Sequence, residues 1–500
     1  MRWDSNPRYA HTYGGFQDRC LKPLGHPSCV GRNLTNAWTA DTIPWRGATG
    51  KSTSIRQDAH GLAISTDSDA AVVAFDHMMI GFLKNRADVG QRLAAVLAAD
   101  PELALAHCCQ GYFYLMAYHQ PFLPAARAAA GRAAALVGEA TAREREHIAA
   151  LNAWLKGDID RTLAIWEAIL RRHPHDSLAL RLAHFANFWL GRAQDMAASI
   201  ERVLPDWTAD LPGYGAVLGC RCFALEEIGQ YLAAEPDGRR AIELDAGDLW
   251  AAHAVAHVME MQGRRLEGID WLQTLSPRWQ GGNNIQHHLW WHCALFHLEE
   301  GDFGRVLALY DQRFRDLSSP LTAAMPDLYI DVQNAASMLF RLQRQGVAVG
   351  ARWEELADLA EQRIGDCLSA FTLPHWMMAL AATGRSGAAD RLLAAIRGAS
   401  GPDRALLHDI ALPVTEAVRA HGEGRFGDAV RLMRPVVGGM WRLGGSHAQQ
   451  DVLEQLYLDA AVRGGQREDV RLLLQRVSGR RPIPPARAIG WAAAAHHIGV

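Results

Sequence analysis

The sequence predicts an all-α protein built from stacked pairs of helices. From about residue 67 onward, apolar residues recur at helical spacing, whereas the alternation typical of strands is scarce. Alanine and leucine, which both favour helices, dominate this part of the chain. At 500 residues the chain is long for one compact domain, so we expect several domains or an open-ended array of helix pairs.

The spacing of glycines indicates an open-ended array of helix pairs. Gly157 and Gly191 are 34 residues apart, and Gly229 and Gly263 have the same spacing. Each of them stands between two periodic segments, where glycine permits a tight turn. A period of 34 residues is typical of tetratricopeptide repeats. The sequence therefore predicts a tetratricopeptide-like solenoid, wound as a right-handed superhelix, over residues 54–500.

Residues 1–53 differ in composition from the rest of the chain. They contain four prolines and many glycines, and their apolar residues show no periodicity. The string WDSNPR, residues 3–8, resembles a translation of the antisense strand of a transfer-RNA gene. We therefore expect a mis-annotated start or a disordered extension here. The folded chain should begin near Ser54, ahead of a helix capped at 65–67.

Composition excludes several functional classes. The formal net charge is −3 and no block of like charge occurs, which argues against a nucleic-acid or acidic-membrane surface. No apolar run reaches the roughly 20 residues that span a bilayer, and the N-terminus lacks the apolar core of a signal peptide. The eight cysteines form no C-x-x-C motif, so we expect reduced core residues in a cytoplasmic protein.

Six segments of the chain, irregular stretches as well as helices, carry a resemblance to a known family. They are WEAILRRHPHDSLALRLAHFANFWLG, WTADLPGYGAVLGCRCFALEE, DLWAAHAVAHVMEMQG, HHLWWHCALFHLEEGDF, RLQRQGVAVGARWEEL and LGGSHAQQDVLEQL. These segments resemble the tetratricopeptide repeat protein 38 family. The resemblance covers about residues 60–490, whereas 1–53 has no counterpart in it. It implies a helical repeat protein without implying a particular biochemical activity.

One predicted helix, over 248–262, carries a polar stripe on an otherwise apolar segment. His253, His257 and Glu260 are spaced i, i+4 and i+7, so they lie on one helical face. The helix is the first of its pair by the repeat register, and first helices line the concave groove of a tetratricopeptide stack. We therefore expect this stripe to face that groove.

The next first helix, over 287–300, carries a matching pair. His288 and His292 are again four residues apart, and Trp290 and Trp291 lie between them. Because adjacent first helices lie side by side, the two histidine pairs should face each other across the groove.

Two functions remain open for this region. The first is a scaffold without a cofactor, whose concave surface binds a protein, a peptide or a small molecule with tryptophans as anchors. The second is a hydrolase that uses a divalent metal, with Glu260 as ligand or general base. The metal candidates are His253, His257, Glu260, His288 and His292. The predicted groove residues are Trp250, His253, His257, Glu260, His288, Trp291, His292, His375, His447, Gln450 and Asp451.

Three further features favour structural interpretations. His184 and His375 are flanked by large apolar residues, which indicates hydrogen-bonded histidines of the core or groove. Ser446 follows two glycines and precedes a helical segment, so it should cap a helix. The alternative at this place is an exposed helix N-terminus at which Gln450 and Asp451 help to bind an anion or ligand.

Overall fold

Helices pack in successive neighbouring pairs along residues 54–498, the part of the chain that the computed structural model describes. The predictions made for 1–53, including those for Cys20 and Cys29, lie outside the described residues. The described part contains 25 helices and two short strands, so the predicted all-α class is confirmed.

The strands are β1 (Ile55–Gln57) and β2 (Ala63–Ser65). The first helices are α1 (Asp69–Leu83), α2 (Val89–Ala99), α3 (Ala104–Met116), α4 (Leu123–Ala135), α5 (Ala142–Leu155), α6 (Ile159–Arg172), α7 (Ser177–Trp189), α8 (Ala193–Val203), α9 (Tyr214–Glu227), α10 (Tyr231–Leu244), α11 (Leu249–Met261) and α12 (Arg265–Leu275). The remaining helices are α13 (Ile285–Glu299), α14 (Phe303–Leu309), α15 (Pro320–Ala324), α16 (Tyr329–Arg344), α17 (Arg352–Gln362), α18 (Thr372–Ala382), α19 (Ser386–Gly398), α20 (Arg404–Leu406), α21 (Leu412–Gly422), α22 (Phe426–Met433), α23 (His447–Arg463), α24 (Arg467–Arg480) and α25 (Ile489–Ile498).

A small antiparallel hairpin, β1 with β2, precedes the first helix. The Asp58 carboxylate closes its turn by accepting a hydrogen bond from the backbone amide of Leu62 at 2.9 Å. The expectation of a helix cap at 65–67 was wrong, because Ser65 ends β2. Ser68 caps α1 instead, since its hydroxyl accepts from the amide of Ala71 at 3.1 Å.

Glycine turns separate the helices of a pair where the sequence predicted them. Gly157, Gly191, Gly229 and Gly263 all adopt the left-handed backbone conformation, with φ between 67° and 79°. At Gly191 a side chain would also collide with another part of the chain, because a Cβ atom would lie 2.3 Å from the carbonyl oxygen of Trp441. The α7–α8 turn therefore contacts a segment about 250 residues further along the sequence.

The interior is formed by helices that are buried on nearly every side. Helix α11 contacts α9, α13 and α23, and α16 contacts α13 and α23. A helix that is apolar on most of its circumference, as α11 is apart from its histidine stripe, is typical of such a buried position. Most of the residues that we expected in the groove consequently lie inside the protein, because α23 packs against α11 and α16, whereas Trp250, Glu260 and His447 are partly exposed.

The described cysteines agree with the expected reduced state. All six are free, and five of them are buried in helices, namely Cys108, Cys109, Cys220, Cys222 and Cys293. Among the described residues, no helix combines the length and apolar character needed to cross a bilayer.

A candidate metal centre between helices α11 and α13

Four histidine side chains from neighbouring helices converge in the interior. His253 and His257 project from α11, and His288 and His292 project from α13. None is more than 2% exposed. One ring nitrogen of each lies within 4.8 Å of a ring nitrogen of each of the other three. The two pairs therefore face each other, as the repeat register predicts.

The four imidazoles touch one another directly. His253 Nε2 lies 2.9 Å from His257 Nε2. The ring centroid of His257 is 4.4 Å from that of His292, and His292 is 4.7 Å from His288. These distances leave no room for another side chain between the rings, so the cluster is a continuous patch of imidazole.

Two of the rings are oriented by hydrogen bonds that they donate to side chains outside the cluster. The Nδ1–H group of His292 donates to Glu260 Oε2 at 2.8 Å. The Nδ1–H group of His288 donates to Asn334 Oδ1, on α16, at 2.9 Å. Because a neutral imidazole carries one proton, these bonds leave the Nε2 lone pair of each ring free to accept or to bind a metal.

Several buried atoms of the cluster have no hydrogen-bond partner. They are Nδ1 of His253, Nδ1 of His257 and Nε2 of His292. The carboxylate of Glu226 lies behind the cluster, with Oε2 3.6 Å from His257 Nδ1, and both of its oxygens also lack a partner. Buried polar atoms are almost always paired, so this concentration of unpaired donors and acceptors requires an explanation.

Burial favours the neutral form of three imidazoles of the cluster. It lowers the pKa values of His253, His257 and His288 well below the ordinary histidine value, and the neighbouring imidazoles lower them further. Neutral imidazole is the form that binds transition metals. These three side chains can therefore bind a metal ion without first losing a proton to the solvent.

A second group of possible ligands lies beside the first. Glu226 and Glu227 at the end of α9 and His447 at the start of α23 present ligand atoms within 4.8 Å of one another. Burial raises the pKa of Glu227 to about 8 and lowers that of His447 to about 4. Burial and the nearby Glu227 and Glu260 carboxyl groups raise the pKa of Glu226 well above its usual range.

Sequence reasoning included His447 among the groove residues but missed Glu226 and Glu227. A signal for them existed, because two acidic residues end the otherwise apolar segment CFALEE just before the turn at Gly229. Nothing in that segment showed that Glu226 would be buried, since its environment is supplied by α11 and by His447 at the start of α23.

The two predicted tryptophans surround the cluster in different ways. Trp291 is fully buried and its ring stacks on His288, with centroids 5.0 Å apart and planes 12° apart. Trp250 is partly exposed, and the Arg181 guanidinium lies 4.2 Å from its ring centroid. Both rings thus pack against neighbouring side chains of the same protein.

Ser446 caps α23, as the sequence predicted, and the alternative of an exposed helix N-terminus is not what the structure shows. The Ser446 hydroxyl accepts from the amide of Gln449 in a capping box. Gln450 is buried and donates to the carbonyl of Gly444 at 3.0 Å. Asp451 is buried and accepts from Trp491 Nε1 at 3.0 Å. Both side chains therefore stabilise the packing of α23.

His375 and His184 differ in their hydrogen bonding. His375 is buried and its Nδ1–H donates to the carbonyl of Phe371 at 2.8 Å, as expected for a hydrogen-bonded core histidine. His184 is also buried, but neither of its ring nitrogens has a hydrogen-bond partner, so that part of the prediction was wrong. Its neighbours are the aromatic rings of Phe223 and Trp250, which offer no acceptor.

No protein-family model matches the chain. Function must therefore be inferred from the chemistry of the side chains. Within residues 54–498, His253, His257, His288 and His292 combine close approach, burial and unpaired nitrogen atoms, and we call this set the four-histidine cluster.

Proposed function

We propose that the protein binds one divalent transition-metal ion through the four-histidine cluster. The observation that carries this proposal is the convergence of four buried ring nitrogens within 4.8 Å. In a tetrahedral site with Zn–N bonds of about 2.1 Å, neighbouring nitrogens lie about 3.4 Å apart. Small side-chain rotations would bring the present nitrogens to that spacing, and an all-imidazole set suits zinc, copper, nickel or iron.

The surroundings of the cluster support this proposal. Glu260 and Asn334 accept hydrogen bonds from the outer nitrogens of His292 and His288. Metal-binding histidines commonly have such an outer partner, which sets the tautomer and the ring orientation.

The proposed ion has a structural role. Four imidazoles complete a tetrahedral coordination sphere, whereas hydrolysis requires a position open to water. A cavity of about 30 Å³, large enough for one water, lies against Glu260, but none of the four histidines lines it. The geometry therefore favours a closed site that links α11 to α13 over the hydrolase that the sequence also allowed.

Metal analysis of the full-length chain tests the proposal. We expect one tightly held zinc ion per chain after dialysis, and none in His257→Gln. His375→Gln is the matched control, because His375 is equally buried but lies in α18. In cobalt-loaded protein, the visible absorption of a tetrahedral centre should be present in the wild type and the control and absent in His257→Gln.

The proposal is wrong if the folded wild-type protein holds no metal and chelator leaves its stability unchanged. Circular dichroism of His257→Gln shows whether the variant is folded. If it is not, cobalt absorption of the wild-type protein still decides whether nitrogen ligands surround the ion.

We propose a second, independent role as a binding scaffold. The 34-residue glycine spacing and the segments similar to the tetratricopeptide repeat protein 38 family support a right-handed tetratricopeptide-like solenoid with a protein, peptide or small-molecule partner. A cavity of about 730 Å³ with an aromatic wall of Tyr118, Trp154 and Trp189 favours a small molecule. Tyr118 has a φ of 46°, a strained conformation for a non-glycine residue that often marks functional sites.

An aromatic anion is a suitable probe, because the exposed Arg127 and Lys156 flank the same cavity. We expect anilinonaphthalene sulfonate to bind with increased fluorescence, and Trp189→Leu to weaken binding at least tenfold. Trp271→Leu, in α12, serves as the control. Equal binding by both variants would remove this cavity as the binding site.

A further inference from the structure

A second set of unpaired ligand atoms lies next to the four-histidine cluster. Glu226 is fully buried, and neither carboxylate oxygen has a hydrogen-bond partner. Glu227 Oε1 and His447 Nδ1 are also without partners. The three side chains converge from α9 and α23, with ligand atoms within 4.8 Å of one another. Such a group has the form of a cation site rather than of a salt bridge.

The nearby Arg480 and Arg481 favour ionised Glu226 and Glu227 from a distance but form no ion pair with either carboxylate. Arg480 forms its ion pair with Glu454, and Arg481 lies 3.6 Å from Asp451. Removing a carboxylate from water without a partner is costly, so a buried pair of acids requires a proton or a cation. The geometry allows a cation, because an imidazole nitrogen joins the two carboxylates.

We infer that Glu226, Glu227 and His447 bind a second divalent cation. The inference extends the proposed metal-binding function but does not require the first ion to be present. Two carboxylates and one imidazole suit a harder ion than the four-histidine cluster does, such as Mn²⁺, Fe²⁺ or Mg²⁺. Three protein ligands also leave coordination positions for water or a substrate.

The second site lies nearer to the surface than the first. The His447 side chain is 27% exposed, although its Nδ1 atom is buried, whereas the four histidines are at most 2% exposed. The protein would thus hold a site with four nitrogens beside a site with three mixed oxygen and nitrogen ligands. The second site is the one at which an ion could exchange and a bound water could react.

Glu226 connects the two sites. Its Oε2 atom lies 3.6 Å from Nδ1 of His257, so the same carboxylate would bind one ion and face a ligand of the other. Carboxylates in that position orient a metal-binding histidine and raise its basicity. Loading one site should consequently change the affinity of the other, and this coupling must be reciprocal.

Manganese titration followed by electron paramagnetic resonance tests the inference. With zinc first added to fill the four-histidine cluster, we expect one Mn²⁺ per full-length chain. Glu226→Gln and Glu227→Gln should each weaken Mn²⁺ binding at least tenfold. Glu299→Gln is the matched control, because Glu299 is a largely buried carboxylate that accepts from the amide of Ile489.

The double variant His253→Gln/His292→Gln separates the two proposals. Mn²⁺ binding that persists in this variant supports the second site even if the four-histidine cluster binds nothing. Loss of cobalt absorption in His257→Gln, by contrast, concerns the first site alone.

Two results would overturn the inference. One is a folded wild-type protein that binds no Mn²⁺ at millimolar concentration. The other is an infrared band of a protonated carboxyl group that disappears in Glu226→Gln and does not change when Mn²⁺ is added. That band would mean that Glu226 and Glu227 share a proton instead of binding a cation.

Discussion

Two buried histidine groups in this protein differ in whether the protein itself satisfies them. In the first, His147 on α5 has Nε2 3.2 Å from Asp176 Oδ2, and Arg143 donates to the same carboxylate at 2.9 Å. The hydroxyl of Tyr112 donates to the backbone carbonyl of His147 at 2.7 Å. A cation, a histidine and a carboxylate thus pair with one another, and of their buried side-chain atoms Nε of Arg143 alone has no partner.

The four-histidine cluster is equally buried but only partly paired. Glu260 and Asn334 accept hydrogen bonds from His292 and His288. Nδ1 of His253 and Nε2 of His292 remain unpaired, and the carboxyl oxygens of Glu226, 3.6 Å from His257, have no hydrogen-bond partner. The comparison teaches that burial of a histidine is not a sign of metal binding. Ring nitrogens of several histidines that converge, with unpaired atoms among them, are such a sign.

The largest loss of stability is expected when the network of Arg143, His147 and Asp176 is broken. Although burial opposes its ionisation, His147 and Arg143 hold the pKa of Asp176 well below its usual range. Asp176→Ala leaves Arg143 as a buried charge without its main partner, so the free energy of unfolding should fall by about 3–5 kcal/mol. Urea denaturation measures this loss. Asp160→Ala, whose carboxylate is exposed and pairs with Arg192, should cost at most about 1 kcal/mol.

Asp176→Ala should nevertheless retain the zinc ion, since its network is separate from the four-histidine cluster. Loss of zinc from a folded Asp176→Ala variant would show that the two groups are not independent.

Removal of the metal should have the next largest effect. An ion bound only to the folded state adds about 2.7 kcal/mol of stability when its free concentration is 100 times the dissociation constant. We therefore expect chelator to lower the urea midpoint of the wild-type protein and to leave that of His257→Gln unchanged. An equal response of the two proteins would contradict the assignment of the ion to the cluster.

Loss of an outer partner should weaken binding less than loss of a ligand. Glu260→Gln keeps the size of the side chain but replaces the carboxylate that accepts from His292. Zinc affinity should fall by about 10- to 100-fold, the usual effect of such a change. Competition with a chromophoric chelator measures the affinity. An unchanged affinity would mean that Glu260 does not support the site.

The smallest expected effect is on the pH dependence of stability, and it concerns the buried His375. Burial lowers the pKa of His375 from 6.5 to about 4. Between these values the unfolded chain binds a proton that the folded protein does not, so acidification from pH 6.5 towards 4 destabilises the protein. His375→Gln should reduce the loss of stability between pH 7 and pH 5 by up to about 2 kcal/mol. Urea midpoints at the two pH values measure the difference, and equal slopes would place the pKa of His375 near its ordinary value.

Local features were predictable because they depend on neighbours in sequence. The turn at Gly191 requires a left-handed residue, and Ser446 with Gln449 is a capping box within one helical turn. The spacing of His253 and His257 likewise places them on one face of any helix. The hairpin at 55–65 was missed, because its strands are only three residues long and carry too little periodicity to recognise.

The sequence by itself determined the helix pairs, their turns and the facing of the two histidine pairs, since each follows from spacing and backbone preference. Only the tertiary structure decided that the expected groove is an interior. That outcome depends on contacts between distant segments, such as the hydrogen bond from Arg341 on α16 to the carbonyl of Ala448 on α23. Burial removes water from Glu226 and from the imidazoles, and it is this loss of solvent that turns a polar helix face into a candidate metal centre.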